Sequence, residues 1–362
     1  MKTIGIDFSP AQISPAGIGQ YTLNLTKELV KTDKSNSYIL YSNQSITEFD
    51  LPPNCRNIVF PIKSNLPGKG FRYMNEVKRS LIKEKADLLI SYSNHSFALL
   101  FNRTILFIHD LAPIKYAKFF SKSARFFYPI TTKLACKRAL KILTVSETIK
   151  NEIIEYTGIK APKIDVIYPS INKELLKSSS AKLSMKLPNK FILSISTLEP
   201  RKNYLTAIKA FNQSLKTYPD LKYLIIGKKG WYYEKIFKTV EELGLKGKVK
   251  FLGYQDDATT AKILSKASAL LYLSEYEGFG MPPMEAIFFN VPAILSDIPV
   301  FREVYEGTAS FVDIKNIDEV AKKLISILKN PKQIDKNTRG ALLKKYSWEN
   351  SANKLLKIIK GE

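Results

Sequence analysis

The sequence predicts an α/β protein with two doubly wound parallel sheets, one in each half of the chain. Its 362 residues are more than one hydrophobic core usually organises, so we expect two domains. Short β-branched or aromatic segments alternate with amphipathic helical segments, which is typical of βαβ units and parallel sheets. The composition, 45% apolar and 25% charged, is that of a globular protein and excludes a disordered or fibrous one.

The first half predicts a Rossmann-like domain over residues 1–172. Strands are expected at residues 3–8, 37–41, 87–91, 104–109, 141–145 and 164–168. Helices are expected near residues 18–32, 72–85, 125–140 and 147–156. A segment rich in serine and lysine follows at residues 173–190, and its lack of apolar periodicity indicates a linker.

The second half predicts another Rossmann-like domain over residues 191–345. Strands are expected at residues 191–196, 222–226, 249–252, 269–273 and 293–296, with helices that include 204–217, 233–243 and 259–268. A last helix, within residues 346–362, is expected to pack back across the first domain. Doubly wound sheets bind ligands at the carboxyl ends of their strands, so two facing sheets predict a deep cleft.

The chain carries a large excess of positive charge, with 56 Lys and Arg against 33 Asp and Glu, or +23. Between Arg56 and Lys141, 17 cationic residues outnumber four acidic ones and leave +13. Nucleic acid and anionic lipid are both candidate partners for such a surface. The sequence has no helix-turn-helix, zinc or RNA-binding signature, so nucleic acid is not expected.

Residues 119–128, Phe-Phe-Ser-Lys-Ser-Ala-Arg-Phe-Phe-Tyr, interleave aromatic and cationic side chains. This pattern suits docking at an anionic membrane surface, where apolar insertion and Coulomb attraction act together. The alternative interpretation is a solvated lysine-rich face beside aromatic residues that belong to the core.

Cys55 and Cys136 lie far apart without metal-ligand or redox spacing, which favours a reducing cytosol and no structural disulfide. Residues 1–11 lack the apolar run of a signal peptide, and nowhere do 18 apolar residues occur together. We therefore expect a cytoplasmic protein without a membrane span, peripheral at the inner face of the cell membrane if its basic surface docks there.

The most informative segment, residues 274–286, leaves a buried strand and opens a helix. Gly278 and Gly280 allow the backbone to approach a ligand, and the N–H groups at the helix start favour an anion such as pyrophosphate. Glu277, in the loop, can reach a sugar hydroxyl, and Glu285, about two turns later, can accept hydrogen bonds from a ribose diol. The alternative is a plain helix start with acidic residues that the helix dipole favours.

This segment, Glu-Gly-Phe-Gly-Met-Pro-Pro-Met-Glu-Ala at 277–286, resembles the signature of the retaining nucleotide-sugar glycosyltransferases of family four. Further segments resemble the same family, at residues 17–21, 144–147, 198–203, 227–231 and 251–254. The resemblance therefore covers almost the whole chain. It implies a GT-B architecture and metal-independent transfer with retention of anomeric configuration, from a donor held mainly by the C-terminal domain.

The resemblance also implies roles for residues of this chain. It places Glu277, His109 and Asp110 at the reacting centre, Arg201, Lys202, Gly278, Phe279 and Gly280 on the donor diphosphate, and Glu285 on the ribose. It places Gly17 and Gly19 in an acceptor or phosphate loop, and Gly227, Lys228 and Tyr254 near the nucleobase. Taken alone, His109 could equally be a structural histidine at a strand end, and the two N-terminal glycines a plain turn.

The chemistry of a departing nucleoside diphosphate agrees with these roles. Negative charge that grows on its oxygens must be neutralised by fixed cations or by a divalent metal. Arg201 and Lys202, in a basic turn at residues 198–203, can provide fixed cations, although a solvated turn is the alternative interpretation. No metal site is expected, because the adjacent Asp256 and Asp257 predict a helix cap rather than an Asp-x-Asp motif.

The chain departs from the family pattern in three places, one of which is Arg302-Glu303, where the family has Pro-Glu. Many members carry an arginine five or six residues before the lysine of the basic turn, where this chain has Ser196 and Thr197. Arg201 would then have to supply the second cation. The family's glycine after the motif is Asn290 here, which tolerates the left-handed conformation that a helix stop needs.

The resemblance favours mannosyl or similar transfer in surface-polysaccharide or lipopolysaccharide assembly. The donor would be GDP-mannose or another GDP- or UDP-linked sugar, the acceptor a saccharide or lipid-linked saccharide, and no further cofactor is expected. The alternatives are a nucleotide-sugar-binding protein without turnover and a basic nucleic-acid-binding protein. The sequence leaves the donor sugar and base, the acceptor and the oligomeric state open.

Overall fold

A computed structural model describes residues 1–13, 17–61, 68–92, 96–119, 122–171, 185–331 and 333–361. Contacts between Cα atoms divide the chain into two compact units, the first formed by Met1–Pro169 with Tyr346–Glu362 and the second by Ser170–Lys345. Most of the expected linker, residues 173–184, lies outside the described residues.

A parallel sheet forms the centre of the first unit. Within the described residues its strands are β1 Thr3–Asp7, β2 Ser37–Ser42, β3 Cys55–Val59, β4 Leu88–Ser91, β5 Thr104–Ile108, β6 Lys141–Thr144 and β7 Ile164–Val166, in the order β3-β2-β1-β4-β5-β6-β7. The helices are α1 Ser9–Ile13, α2 Ile18–Thr32, α3 Lys69–Lys83, α4 Ser96–Leu100, α5 Ala112–Lys115, α6 Lys122–Arg138 and α7 Glu147–Thr157. Short 3-10 turns occupy Ala117–Phe119 and Ala161–Lys163.

The second unit repeats this architecture. Within the described residues its parallel strands are β8 Phe191–Ile195, β9 Lys222–Ile226, β10 Val249–Gly253, β11 Ala269–Tyr272, β12 Ala293–Ser296 and β13 Ser310–Val312, in the order β10-β9-β8-β11-β12-β13. A 3-10 turn at Pro200–Lys202 precedes the helices α8 Tyr204–Ser214, α9 Glu234–Glu242, α10 Asp257–Leu264, α11 Met281–Phe288, α12 Pro299–Tyr305, α13 Ile317–Lys329 and α14 Lys336–Lys345.

The predicted fold class is confirmed, and each predicted strand is present within two residues of its expected ends. Central strands such as β4 and β5 are buried along their whole length, as parallel strands covered on both faces must be. The prediction missed β3 and β13, which lie at the sheet edges. Most of their residues are only partly buried or exposed, so they lack the continuous apolar run of a central strand.

The last helix, α15 Trp348–Lys360, belongs to the first unit and packs against α2. The Ser351 hydroxyl donates to the Tyr168 carbonyl (2.6 Å), and Lys2 Nζ donates to the Ile359 carbonyl (2.5 Å). The Trp348 ring lies 5.4 Å from the Tyr21 ring, centroid to centroid. The end of the chain is therefore part of the core of the first unit.

Cys55 and Cys136 are both buried free thiols. Burial raises the pKa of each to about 12, so both stay protonated near neutral pH. Among the helices of the described residues, none has the length and the apolar character needed to cross a lipid bilayer.

The packing of α15 predicts that Leu355→Ala destabilises the first unit by about 2–5 kcal/mol, because the buried side chain leaves a cavity. Hydrogen exchange measured by mass spectrometry should show faster exchange in β1 and α2 and unchanged exchange in β8 to β11. The exposed neighbour Lys354 supplies the control, Lys354→Ala, which should exchange as the wild type does. Unchanged exchange of α2 in Leu355→Ala would contradict this account of the helix.

Candidate active site

The candidate residues of the second unit lie at the carboxyl ends of four neighbouring strands. Arg201 and Lys202 follow β8, Glu277 follows β11, and Lys228 and Tyr254 follow β9 and β10. The strand order changes direction between β8 and β11, which is where doubly wound sheets bind ligands. The topology therefore brings residues that are distant in the sequence to one edge of the sheet.

The backbone of the turn after β8 is in direct contact with the loop after β9. The Gly230 amide donates to the Leu198 carbonyl (3.0 Å), and a Cβ on Gly230 would lie 2.8 Å from that oxygen. A Cβ on Gly227 would lie 1.8 Å from the Ser196 carbonyl oxygen. Neither position has room for a side chain, so the two glycines permit the close approach of these loops.

Glu277 is the centre of a buried hydrogen-bond cluster and is 8% exposed. Its Oε1 accepts from the Ser274 hydroxyl (2.7 Å), the Tyr272 hydroxyl (2.8 Å) and Lys202 Nζ. Its Oε2 accepts from Arg201 Nη1 (3.2 Å). The carboxylate therefore holds both cations of the basic turn.

Burial alone would raise the pKa of Glu277, because a low-dielectric interior disfavours the charged form. The charges of Lys202 and Arg201, with hydrogen bonds from Lys202 and Ser274, reverse this effect and hold the pKa at about 2. Glu277 is thus ionised at every physiological pH.

Arg201 connects the basic turn to the loop that carries Glu277. Its Nη1 donates to the Tyr276 carbonyl (2.6 Å) as well as to Glu277, and its own carbonyl accepts from the Glu275 amide (2.8 Å). On its other side, Nε and Nη2 both donate to Oε1 of Glu199, at 3.0 and 2.7 Å. Sequence reasoning gave no role to Glu199, although this residue lies within the segment 198–203 that resembles the family.

Two aromatic side chains of α12 contact Gly280, the residue that precedes α11. Gly280 has φ +87° and precedes the helix, whose first turn contains Pro282 and lacks a side-chain cap. The Tyr305 hydroxyl donates to the Gly280 carbonyl, and a Cβ on Gly280 would lie 2.7 Å from the Phe301 ring. Phe279 is buried beside Tyr305. A ligand at residues 278–280 would therefore contact the backbone rather than a side chain.

A second group of candidates lies after β9 and β10. The Gly227 amide donates to the Gly253 carbonyl (2.9 Å), and Lys228 Nζ lies 4.7 Å from the centre of the Tyr254 ring. Asp256 caps α10 by accepting from the Thr259 amide (2.8 Å), as the adjacent aspartates predicted. This group offers an aromatic face with a cation over it.

Glu285 lies in α11 and is partly buried. Burial, followed by the negative charge of Asp257, raises the pKa of Glu285 to about 7. The same Asp257 raises the pKa of Tyr254, after the effect of that ring's burial. Asp257 thus acts on both Glu285 and Tyr254.

The remaining candidates belong to the first unit. His109 Nε2 lies 2.8 Å from the Tyr92 carbonyl oxygen, and the His109 ring packs edge-on against Tyr21 at 4.8 Å. Asp110 accepts from the amide of Ala112, the first residue of α5 (2.9 Å). These contacts place both residues directly after β5, at the carboxyl edge of the first sheet.

Gly17 precedes α2 with φ +56°, whereas Gly19 is the second residue of that helix and not part of a turn. Asn290 adopts φ +57° at the end of α11, which confirms its predicted left-handed conformation. Within the described parts of the chain, no group of three or more His, Cys, Asp and Glu residues could hold a metal ion.

Models of two protein families match the chain. The model described as Glycosyltransferase Family 4 matches residues 15–175, and the one described as Glycosyl transferases group 1 matches residues 177–339. The O-antigen chain mannosyltransferase RfbU of Salmonella typhimurium is 37% identical over 255 residues, which cover 67% of this chain and 68% of that protein. The O-antigen chain mannosyltransferase B of Escherichia coli is 24% identical and covers 97% of both chains.

Solved structures agree on the fold. Anabaena HepE, solved in complex with UDP and glucose, superposes with a TM-score of 0.77 at 17% identity, over 100% of both chains. A likeness at this identity establishes the architecture, which is the GT-B fold. Together with the family models and the 37% identical relative, it shows that the chain belongs to the family-four group of GT-B glycosyltransferases.

Proposed function

We propose that this chain is a retaining, metal-independent hexosyltransferase of surface-polysaccharide assembly. Its donor is a GDP- or UDP-linked sugar, mannose or a similar hexose, and its acceptor is a saccharide or a lipid-linked saccharide. The names of the two O-antigen chain mannosyltransferases support the sugar and the pathway class. The UDP and glucose in HepE support a nucleotide-linked donor.

The observation that carries the proposal is the joint placement of Arg201, Lys202 and Glu277 at the switch point between β8 and β11. Fixed cations beside the start of α11, where the helix dipole favours negative charge, can stabilise a diphosphate as its charge grows, the task that a divalent metal performs elsewhere. Such preorganised groups require no rearrangement during the reaction, which favours metal-independent departure of the nucleoside diphosphate.

The other candidates complete the proposed reaction. Glu285 accepts hydrogen bonds from the ribose, Tyr254 and Lys228 face the nucleobase, and Glu277 lies near the sugar. The bond between the anomeric carbon and the diphosphate oxygen breaks as the acceptor oxygen bonds to that carbon from the same face. The departing phosphate takes the acceptor's proton.

Lys202→Ala is expected to lower the transfer rate about 100-fold or more, because a charge-stabilising donor is lost from the transition state. Product formation by purified protein, measured over a panel of GDP- and UDP-sugars, provides the test. Lys238→Ala removes an exposed lysine of α9 and should leave the rate unchanged. A fully active Lys202→Ala protein, with an intact circular dichroism spectrum, would exclude the assigned diphosphate site.

The raised pKa of Glu285 makes the stability of the protein dependent on pH. Because the pKa is about 7 in the folded state against an ordinary value of 4.5, the stabilisation from the protonated form is complete below about pH 4.5. It is lost as the pH rises through 7. Glu285→Gln imitates the protonated form, so it should match the wild type at pH 4.5 and be more stable at pH 8 by about 1–3 kcal/mol.

Urea unfolding at the two pH values measures this difference. Glu242→Gln, on the exposed side of α9, serves as the matched control and should track the wild type at both. A Glu285→Gln protein that is less stable than the wild type at pH 8 would show that the carboxylate is ionised and paired in the folded state.

The proposal includes docking of the first unit on an anionic membrane through α6. Four large apolar side chains of this helix are exposed, Phe126 (65%), Phe127 (60%), Ile130 (48%) and Leu134 (48%). Their spacing puts them on one helix face, and so large an apolar patch on a solvent-facing helix usually marks an interaction site. Phe120 and Ser121 of the predicted docking segment lie outside the described residues.

The charges of α6 favour lipid over protein as the partner. The helix contains no acidic residue, and Arg125, Lys133, Lys137 and Arg138 are exposed. Cations that flank inserted apolar side chains are attracted to the negative surface of anionic lipids. A membrane that holds a lipid-linked acceptor would then also hold the enzyme.

Flotation with liposomes tests this docking. The wild type should float with phosphatidylglycerol vesicles at low salt and lose binding as salt rises, because screening weakens the Coulomb term. The triple variant Phe126→Ser, Phe127→Ser, Ile130→Ser should stay at the bottom of the gradient, and Tyr232→Ser, exposed in the second unit, should float. Equal flotation of the triple variant and the wild type would refute the role of α6.

A further inference from the structure

We propose that Glu199 is a positioning residue for the donor site, which acts by orienting Arg201. Under the proposed function this deepens the role of the basic turn, since it explains how Arg201 serves a site whose usual second cation is absent at Ser196 and Thr197.

The contacts of Glu199 are directed at one side chain. Glu199 is 3% exposed, and a single oxygen, Oε1, accepts from both Nε (3.0 Å) and Nη2 (2.7 Å) of Arg201. Two bonds to one planar guanidinium fix its rotation as well as its position. The opposite edge of the group is thereby aimed at the loop after β11.

The fixed guanidinium in turn holds the loop that carries Glu277. Arg201 Nη1 donates to the Tyr276 carbonyl (2.6 Å) and to Glu277 Oε2 (3.2 Å), and the Glu275 amide donates back to the Arg201 carbonyl (2.8 Å). Three bonds thus join the two segments within three consecutive residues of the loop. Loss of the Glu199 contacts would release the Arg201 side chain. The two hydrogen bonds that Arg201 Nη1 donates to this loop would then weaken.

Charge balance is the competing explanation for a buried glutamate here. Glu199 and Glu277 together cancel the charges of Arg201 and Lys202, so Glu199 could serve only to neutralise the cluster. The two explanations differ for glutamine. Because one oxygen accepts both bonds, the amide carbonyl of Glu199→Gln can accept them too, while the negative charge is gone.

The test compares Glu199→Ala and Glu199→Gln in the full chain by titration calorimetry with UDP and GDP. Orientation by Glu199 predicts that alanine weakens binding about tenfold or more, since small misplacements of binding groups are costly, and that glutamine binds within about twofold of the wild type. Charge neutralisation predicts that glutamine binds the anionic nucleotide more tightly than the wild type. Tighter binding by Glu199→Gln, or binding as weak as that of Glu199→Ala, would therefore overturn the proposal.

A double variant and an exchange measurement complete the test. Adding Glu199→Ala to Arg201→Ala should cause no further loss of nucleotide affinity, because Glu199 acts through Arg201 in this proposal. A double variant whose loss of affinity equals the product of the two single losses would refute it. Glu199→Ala should also speed hydrogen exchange of residues 273–280, whereas Glu242→Ala, an exposed control, should not. Unchanged exchange in that segment would contradict the proposal.

The exchange measurement needs no nucleotide, so it also separates this proposal from the proposed function. Fast exchange in Glu199→Ala with no nucleotide binding by the wild type would leave the positioning role intact and remove the donor site. Normal exchange and normal binding in Glu199→Ala, with activity lost in Lys202→Ala, would refute the positioning role and leave the donor site intact.

Discussion

Burial of the Glu277 carboxylate beside Lys202 and Arg201 is the constraint on which the second unit depends. Moving ions out of water costs several kcal/mol for each, and their attraction compensates only when the geometry is good and the remaining polar atoms are satisfied. Four side-chain donors on one carboxylate meet that condition. The loops after β8 and β11 are consequently held in one arrangement, because any looser one would leave a charge buried without a partner.

This electrostatic requirement explains local features that apolar packing does not. The turn after β8 must bring two consecutive cations to the end of β11, and it does so with a 3-10 turn that ends at Asn203 in a left-handed conformation (φ +51°). Gly227 and Gly230 let the next loop lie against the same turn without a side chain between them. Glycine at these positions is therefore a consequence of close backbone approach and not of flexibility.

The sequence was sufficient for the fold class and for the central strands, because a parallel strand covered on both faces leaves a continuous apolar run. It was insufficient at the edges, where Cys55–Val59 carries Arg56 and Asn57 on a partly exposed strand. The motifs identified Arg201, Lys202 and Glu277 as candidates, but they did not predict the contacts among these three residues. The sequence assigned no role to Glu199, because its burial and its bonds to Arg201 are tertiary properties that no local pattern of residue types records.

The two units use the same residue types in opposite physical settings. In the second unit Arg201 and Lys202 are largely buried and matched by carboxylates, so the field they present is short-ranged and its effect depends on geometry. On α6 the cations are exposed on a helix without acids, so their field extends into solvent over about a Debye length and distinguishes little between anionic surfaces. The first arrangement suits recognition of one small anion and the second suits attraction to an extended one. The net charge of +23 therefore indicates less about function than the burial of each charge does.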